Sequence, residues 1–475
     1  MAKPKSKIQI NFVGEASNDV TGSCVHIRTP NRQILLECGL FQSCGSTLEN
    51  YKINNQHFEF KPKDIDYVFT MHNHADHMCL IPKLYKQGCK AQIIAPANTK
   101  RIAEILMRDS AHIMDSDAIE LTNKFKRDYS PIYEEEDVDQ SLTHYSEYPI
   151  GEIIQLDEYI KFKFISSGHI LNSAQLELWI TDGNVTKKIG YTSDLGNIHI
   201  KKYYTGKFEP IKKCDVLIGE TTYAREERIA NQKMREKDLE KLESAIRQTC
   251  IDDRARILVP TFANDRTQNM LTYIYDIFGH DESFDIPVLI DSPMATRICK
   301  VYSNILEGDD AKKWNEVIAW KNVHFVEDSA ESRDWRDSNR PVVVLASSGM
   351  MVRGRSTGWA HSMLPRSNDR IVFCGFAAEN SLASIIKEGK QKTITISGHR
   401  VKNKCQVTDL HSFSSHMQRD SLLKAYGATE CEKIILVHGE MNGKIEFANE
   451  LREEISKNDN TSKVIIANKG YTLSL

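Results

Sequence analysis

From Ile8 to about Thr222 the chain alternates short apolar runs with polar turns, the two-residue period of half-buried strands. Gln33–Cys38, Tyr67–Met71, Gln92–Ala95, Tyr159–Ile165, Gln175–Ile180 and Val216–Gly219 read as strands, and Thr181-Asp182-Gly183-Asn184 reads as a turn between two of them. One stretch breaks the pattern. From Asn98 to about Phe125, apolar positions such as Ile102, Ile105 and Leu106 recur against a charged face, which predicts a helix. The acidic cluster Glu134–Asp137 reads as a solvated loop.

Near Ala224 the character changes. A charged amphipathic helix is predicted to about Thr249, and the apolar runs ILVPTFA, PVLIDSPMA, PVVVLASSGM and RIVFCGF follow, each succeeded by helical periodicity. That alternation predicts βαβ units on a parallel sheet. From about Thr393 to the end, strand, loop and helix return. With 475 residues the chain exceeds what one core holds, so two domains are the starting expectation, and the changes of character divide the chain into 1–223, 224–392 and 393–475.

Composition narrows the partners. A net charge of -3 and pI ≈ 6.6 leave no global basic field, so a polyanion would have to be met by a local groove. No apolar stretch approaches the roughly 20 residues that span a bilayer, and MAKPKSKIQINF lacks the apolar core of a signal peptide, so no membrane partner is expected. Eleven scattered cysteines without a CxxC pair fit reduced thiols in a cytoplasm.

The strongest chemical signal is His72-Asn73-His74-Ala75-Asp76-His77, directly after an apolar run. Imidazole and carboxylate are the ligand types of zinc and related metals, and a strand end can aim closely spaced ones into a single volume. His169, Asp194, His416 and His438 also follow predicted strands or sit in loops, where site residues are usually carried. Any one of these four, taken alone, is more often a structural histidine or a turn aspartate.

The motifs together resemble the metallo-β-lactamase superfamily, and within it the β-CASP nucleases that include the cleavage-and-polyadenylation endonuclease and its prokaryotic relatives. ILLECGLFQ, MHNHADH, SSGHILNSA and YTSDLG are similar to the superfamily's first four motifs. IGETTY, SFSSHM and ILVHGE are similar to the later β-CASP motifs, and LVPTFANDRTQ, DSPMA and LASSGMMVRG to its cap. The resemblance implies an α/β fold, an αββα metallo-β-lactamase sandwich with an inserted β-CASP α/β cap domain acting as a lid. It implies two Zn2+ per chain, with Mn2+ as the alternative: His72, His74 and His169 on one metal, Asp76, His77 and His438 on the other, and Asp194 between them. Asp76 would also count as catalytic, beside the non-ligand pair Glu220 and His416, with His416 a general acid oriented by Glu220.

The implied activity is hydrolysis of single-stranded RNA to 5′-phosphate and 3′-hydroxyl products. Endonuclease action is the first expectation and 5′-to-3′ exonuclease action the second, and family habit implies a homodimer. Other readings are a small-molecule esterase or thioesterase, a DNA nuclease and a catalytically weak scaffold; the insert, His438 and the intact ligand set weigh against them in turn. The chain departs from the family pattern at Glu37, where Asp is usual, at Ala75, and at Met417-Gln418, which lack the usual Asp. In the insert, Ser347, Ser348 and Gly349 follow a predicted strand and are candidates for binding a substrate phosphate, supplemented by Arg353, Arg355, His361 and Arg400. A tight turn and solvated arginines explain the same residues equally well. Asn264 or Asp265 reads as a helix cap and Cys79 as a small buried residue.

Overall fold

The structure is a computed structural model that describes residues 7–43, 45–225, 230–375, 377–378, 380–458 and 460–475. The chain forms two compact units, the first from Met1–Ile198, Thr205–Glu227 and Ser415–Leu475, the second from His199–Tyr204 and Arg228–Ser414.

The first unit holds two seven-stranded sheets. One runs in the order Thr472–Ser474, Gln9–Phe12, Val25–Arg28, Gln33–Leu36, Tyr67–Phe69, Gln92–Pro96 and Tyr145–Tyr148, antiparallel up to Gln33–Leu36 and parallel beyond. The other runs Lys463–Ile466, Lys433–Val437, Val216–Glu220, Val185–Tyr191, Ala174–Asp182, Ile160–Ser166 and Ile153–Gln155. Alternation explains their facing. Phe162 and Phe164 turn inward with Leu176, Leu178 and Ile218, and meet Ile10, Phe12, Ile34, Leu36 and Phe69 of the first sheet in one buried cluster. Helices cover the outer faces. Ala103, Met107 and Ala111 of Lys100–Phe125 pack on the first sheet. Leu422 and Tyr426 of Arg419–Gly427, and Phe447 and Leu451 of Met441–Lys457, pack on the second. The unit is therefore an αββα sandwich.

The second unit is built on six parallel strands in the order Val323–Phe325, Val288–Asp291, Val342–Ala346, Arg256–Pro260, Arg370–Phe373 and Gln406–Asp409. Val342–Ala346 is buried throughout, as expected where helices cover both faces of a parallel sheet. The chain leaves this unit at Ser415 rather than at the expected Thr393, because Gln406–Asp409 pairs with Arg370–Phe373 as the edge strand of its sheet.

Three local expectations change. Glu134–Asp137 is not a loop but the start of the helix Glu135–Thr143, with Glu134 and Asp137 forming a reciprocal capping box; carboxylates also favour a helix N-terminus electrostatically. The helix expected from Ala224 begins at Gln232, capped by Asn231, and ends in a π turn over Arg247–Asp252; residues 226–229 lie outside the described residues. Asp265 stands before the helix Arg266–Phe278 with φ 68°, yet its side chain does not cap it and accepts instead from Asn269 Nδ2 at 3.0 Å. Among the described residues no helix is long and apolar enough to cross a membrane.

Candidate metal centre

In the first unit the carboxyl ends of neighbouring strands deliver the candidate ligands to one place. Tyr67–Phe69 leads into His72 and His74, and the short helix Ala75–Met78 turns Asp76 and His77 back beside them. His169 follows Ile160–Ser166, and Asp194 follows Val185–Tyr191. Val216–Glu220 and Lys433–Val437 pair in parallel with Glu220 opposite Val437, so His438 emerges next to Glu220. His416 is tied to Gly196 by an isolated antiparallel bridge.

The donor atoms stand at coordination spacing. His72 Nε2 is 3.1 Å from His74 Nδ1, which is 3.4 Å from His169 Nε2. Asp194 Oδ2 is 3.6 Å from His72 Nε2 and 3.5 Å from His169 Nε2. On the other side, Asp194 Oδ1 is 3.4 Å from His77 Nε2 and 3.5 Å from His438 Nδ1, while Asp76 Oδ2 is 3.6 Å from His77 Nε2 and 3.7 Å from His438 Nε2. Ligands about 2.0–2.1 Å from a tetrahedral zinc lie roughly 3.3 Å from one another, so these separations match the edges of two coordination shells sharing Asp194. The buried His77 Nε2, His438 Nε2 and Asp194 Oδ1 make no hydrogen bond. Such groups are costly to bury without a partner, and a cation between them removes that cost. His72, His74, His169 and Asp194 form one group able to hold an ion, and Asp76, His77 and His438 another.

Hydrogen bonding decides which nitrogens point inward. Glu37 is fully buried and accepts from Tyr191 OH and Ser193 Oγ, both at 2.6 Å, and from His77 Nδ1 at 2.7 Å. Since Ser193 gives its one proton to Glu37, His72 Nδ1 must donate to Ser193 Oγ at 3.2 Å, leaving His72 Nε2 bare. His438 Nδ1 lies 2.9 Å from Thr222 Oγ1. A carboxylate or hydroxyl behind each of these three imidazoles is the arrangement that orients metal ligands. Tyr191, Ser193 and Thr222 were not expected from the sequence, where lone hydroxyls carry no spacing signal. Glu37, also within reach of a group with His72 and His77, spends its oxygens on this support.

Charge follows the same division in the metal-free chain. Burial lowers His72, His74 and His169 below the ordinary histidine value, so they are neutral donors. At His77 burial also opposes charge, but Asp194, Glu37 and Asp76 outweigh it and raise the ring well above the ordinary value. His438 is raised against its burial by Asp194 and Asp76. Burial pushes Asp194 and Asp76 upward, yet the facing histidines, His77 foremost, leave both below the usual carboxylate range.

Glu220 Oε1 accepts from Leu195 N at 2.9 Å and Oε2 from Thr222 N at 2.8 Å, which ties down the chain just after Asp194 and at Thr222, whose hydroxyl meets His438; His416 Nδ1 lies 3.7 Å from Oε1. The His416 ring packs on His169 and Tyr223 with centroids 4.5 and 5.5 Å away. All these groups come from one chain, so no second copy is needed to complete the cluster. Met417 is buried in the apolar core of the first unit, and Gln418 precedes the helix Arg419–Gly427. Cys79 is buried, and burial pushes its thiol up to about 12.

The remaining candidates lie in the second unit. Ser347 and Ser348 spend their hydroxyl protons on Ser292 Oγ and Arg353 O, both at 2.9 Å. Arg355 pairs with buried Asp291 and also donates to Val326 O at 2.8 Å and Glu327 O at 2.6 Å, so it holds loops of the unit together rather than facing solvent. Arg353 and His361 line a hollow of about 490 Å³ with Arg336 and His399, and Arg400 is exposed on the hairpin strand His399–Lys402.

Residues 267–386 match the Beta-Casp domain, and residues 400–462 the Zn-dependent metallo-hydrolase RNA specificity domain. The chain is 28% identical to a protein named Ribonuclease TTHA0252 of Thermus thermophilus, over 90% of this chain and 92% of that one. It is 27% identical to Transcription termination factor FttA of Methanocaldococcus jannaschii, over 95% of this chain and 70% of that one, and 27% identical to an RNase J-like protein of the same organism, over 90% and 91%. A crystal structure of a protein of unknown function from Enterococcus faecalis shares the fold with a TM-score of 0.55 at 12% identity, covering 99% of this chain and 100% of that one.

Proposed function

Because the chain belongs to the β-CASP group of the metallo-β-lactamase superfamily, we propose that it is a metal-dependent ribonuclease cleaving single-stranded RNA to 5′-phosphate and 3′-hydroxyl products. The observation that carries this reading is the buried His and Asp cluster with donors 3.1–3.7 Å apart and His416 beside it. Two Zn2+ ions, or Mn2+ in their place, are assigned to the two donor groups. Divalent cations held there would supply Lewis acidity, making a water acidic enough to ionise near neutral pH and countering charge at phosphorus. The chain's own groups do the rest. Glu37, Ser193 and Thr222 hold the His77, His72 and His438 rings in place, and Glu220 fixes the backbone beside Asp194 and at Thr222. His416 is placed to protonate the departing ribose oxygen, a task suited to an imidazole. Free cysteines throughout the described residues favour a reducing compartment, and we assign the protein to the cytoplasm.

The test is digestion of end-labelled single-stranded RNA, with free and blocked 5′ ends, by zinc-loaded protein. Internal cuts on both substrates establish endonuclease action, and dependence on a free 5′ end establishes exonuclease action. An inert RNA substrate together with brisk hydrolysis of small esters refutes the reading.

A further inference from the structure

The parallel sheet of the second unit has a topological switch point. From Arg256–Pro260 the chain passes through the helix Arg266–Phe278 to Val288–Asp291, two places along the sheet in one direction. From the neighbouring strand Val342–Ala346 it passes through Arg355–Met363 to Arg370–Phe373, two places in the other. Right-handed crossovers in opposite directions put those helices on opposite faces, which opens a crevice at the carboxyl ends of the two strands, the usual place for ligands in open α/β sheets. The strands stay in register to Pro260 opposite Ala346, so Thr261-Phe262 and Ser347–Met350 leave the sheet side by side.

Two features converge there. Phe262 is 46% exposed, although its backbone is pinned by Thr267, whose N–H and hydroxyl both donate to its carbonyl. Gly349 sits beside the ring, where a Cβ would come within 3.3 Å of Cδ2 and Cε2. The N–H groups of Gly349 and Met350 have no partner among the described residues, whereas the serine hydroxyls beside them are already engaged. An open aromatic face and open amides at a switch point suit a base and a phosphate.

We propose that this crevice binds one nucleotide of the RNA, its base stacked on Phe262 and a phosphate accepting from the Gly349 and Met350 amides. The proposal rests on the ribonuclease reading and adds a base-binding residue to it. Stacking of this kind tolerates any base, so Phe262 contributes affinity rather than sequence preference.

The test uses the metal-loaded full chain carrying His416→Ala, so that probes stay intact. Fluorescein-labelled hexa-adenylate and an equally long ribose-phosphate chain without bases are titrated by anisotropy. With Phe262 present, removing the bases should weaken binding about tenfold or more. Phe262→Ala should weaken hexa-adenylate by a similar factor and the baseless probe hardly at all, and Phe262→Trp should restore the difference. Phe262→Ala within twofold of its parent for hexa-adenylate, or equal losses for both probes, overturns the crevice. Those results beside normal RNA cleavage by the wild type overturn the crevice alone; no binding of either probe and no RNA cleavage overturn the ribonuclease reading with it.

Discussion

A Cβ at Gly196 would stand 1.7 Å from the carbonyl oxygen of Gly168, and one at Gly39 1.7 Å from that of Asp76. Both clashes are with backbone next to a candidate ligand, so neither can be relieved by turning a side chain. Gly196→Ala should therefore push the His169 loop away, lowering bound zinc per chain along with the melting temperature; elemental analysis of the purified variant is the check, and full metal content would refute the packing account. His416 makes the opposite prediction. It lies near Asp194 and Glu220 in a group that could itself hold an ion, but its proposed role is proton donation. His416→Ala should keep about two metals per chain and lose about 10²–10⁴-fold in RNA cleavage. Loss of a metal instead would identify it as a ligand. Gly39 and Gly196 lie within the motifs ILLECGLFQ and YTSDLG, but the sequence does not show what either glycine is for, since the clash each avoids is with a segment distant along the chain.

At the level of single elements, the strand Arg256–Pro260 begins on a buried charge. Arg256 is almost wholly buried and donates to Asp369 Oδ2 through Nη2 at 2.6 Å and Nε at 3.0 Å, with Arg336 O at 2.6 Å and Ser362 Oγ at 3.1 Å completing its shell. Asp369 also accepts from Arg256 N at 3.1 Å, so one carboxylate anchors both the backbone and the side chain of a central strand. Removing one partner of such a pair leaves an uncompensated charge, which costs about 3–5 kcal/mol. Asp369→Ala should lose stability of that size in urea denaturation of the second unit, and a change below about 1 kcal/mol would show that water reaches Arg256. The strand itself was legible from its apolar run, but nothing in the local pattern pairs Arg256 with a residue more than a hundred positions away.

For the molecule as a whole, the proposed metal centre should couple zinc uptake to protons. In the metal-free chain burial opposes charge on His77 and His438, but the carboxylates outweigh it and hold both above the ordinary histidine value, so each binds a proton more readily than a free imidazole. Metal ligation needs their neutral forms, so loading releases protons and apparent affinity must fall as pH falls. Calorimetric titration of zinc into the metal-free protein, repeated in buffers of different ionisation enthalpy, should show net proton release at pH 7. Zinc uptake without proton release would mean that these two rings are already neutral or do not bind the metal. The two sides of Asp194 should also differ, because burial keeps His72, His74 and His169 neutral and ready to coordinate.

The periodicity of the chain was enough for a strand-rich first region and for the parallel sheet that follows it, because both follow from which face of each strand or helix is apolar, whereas the sandwich was implied only by the resemblance of the motifs to a family. His72 to His77 could be read as a metal motif because the ligands fall within one strand end and one helical turn. Which residues join them depends on non-local pairing: the register of Glu220 against Val437 and the bridge from Gly196 to His416 bring together positions more than two hundred residues apart. Tertiary structure alone settled the tautomer of His72, the use of Glu220 on two backbone amides and the binding of Arg355 to Asp291 rather than to solvent. It also turned the acidic run at Glu134 into a helix start and kept residues 393–414 with the second unit. A hydroxyl or carboxylate shows its role only when its partner is in place, and those partners lie on other strands.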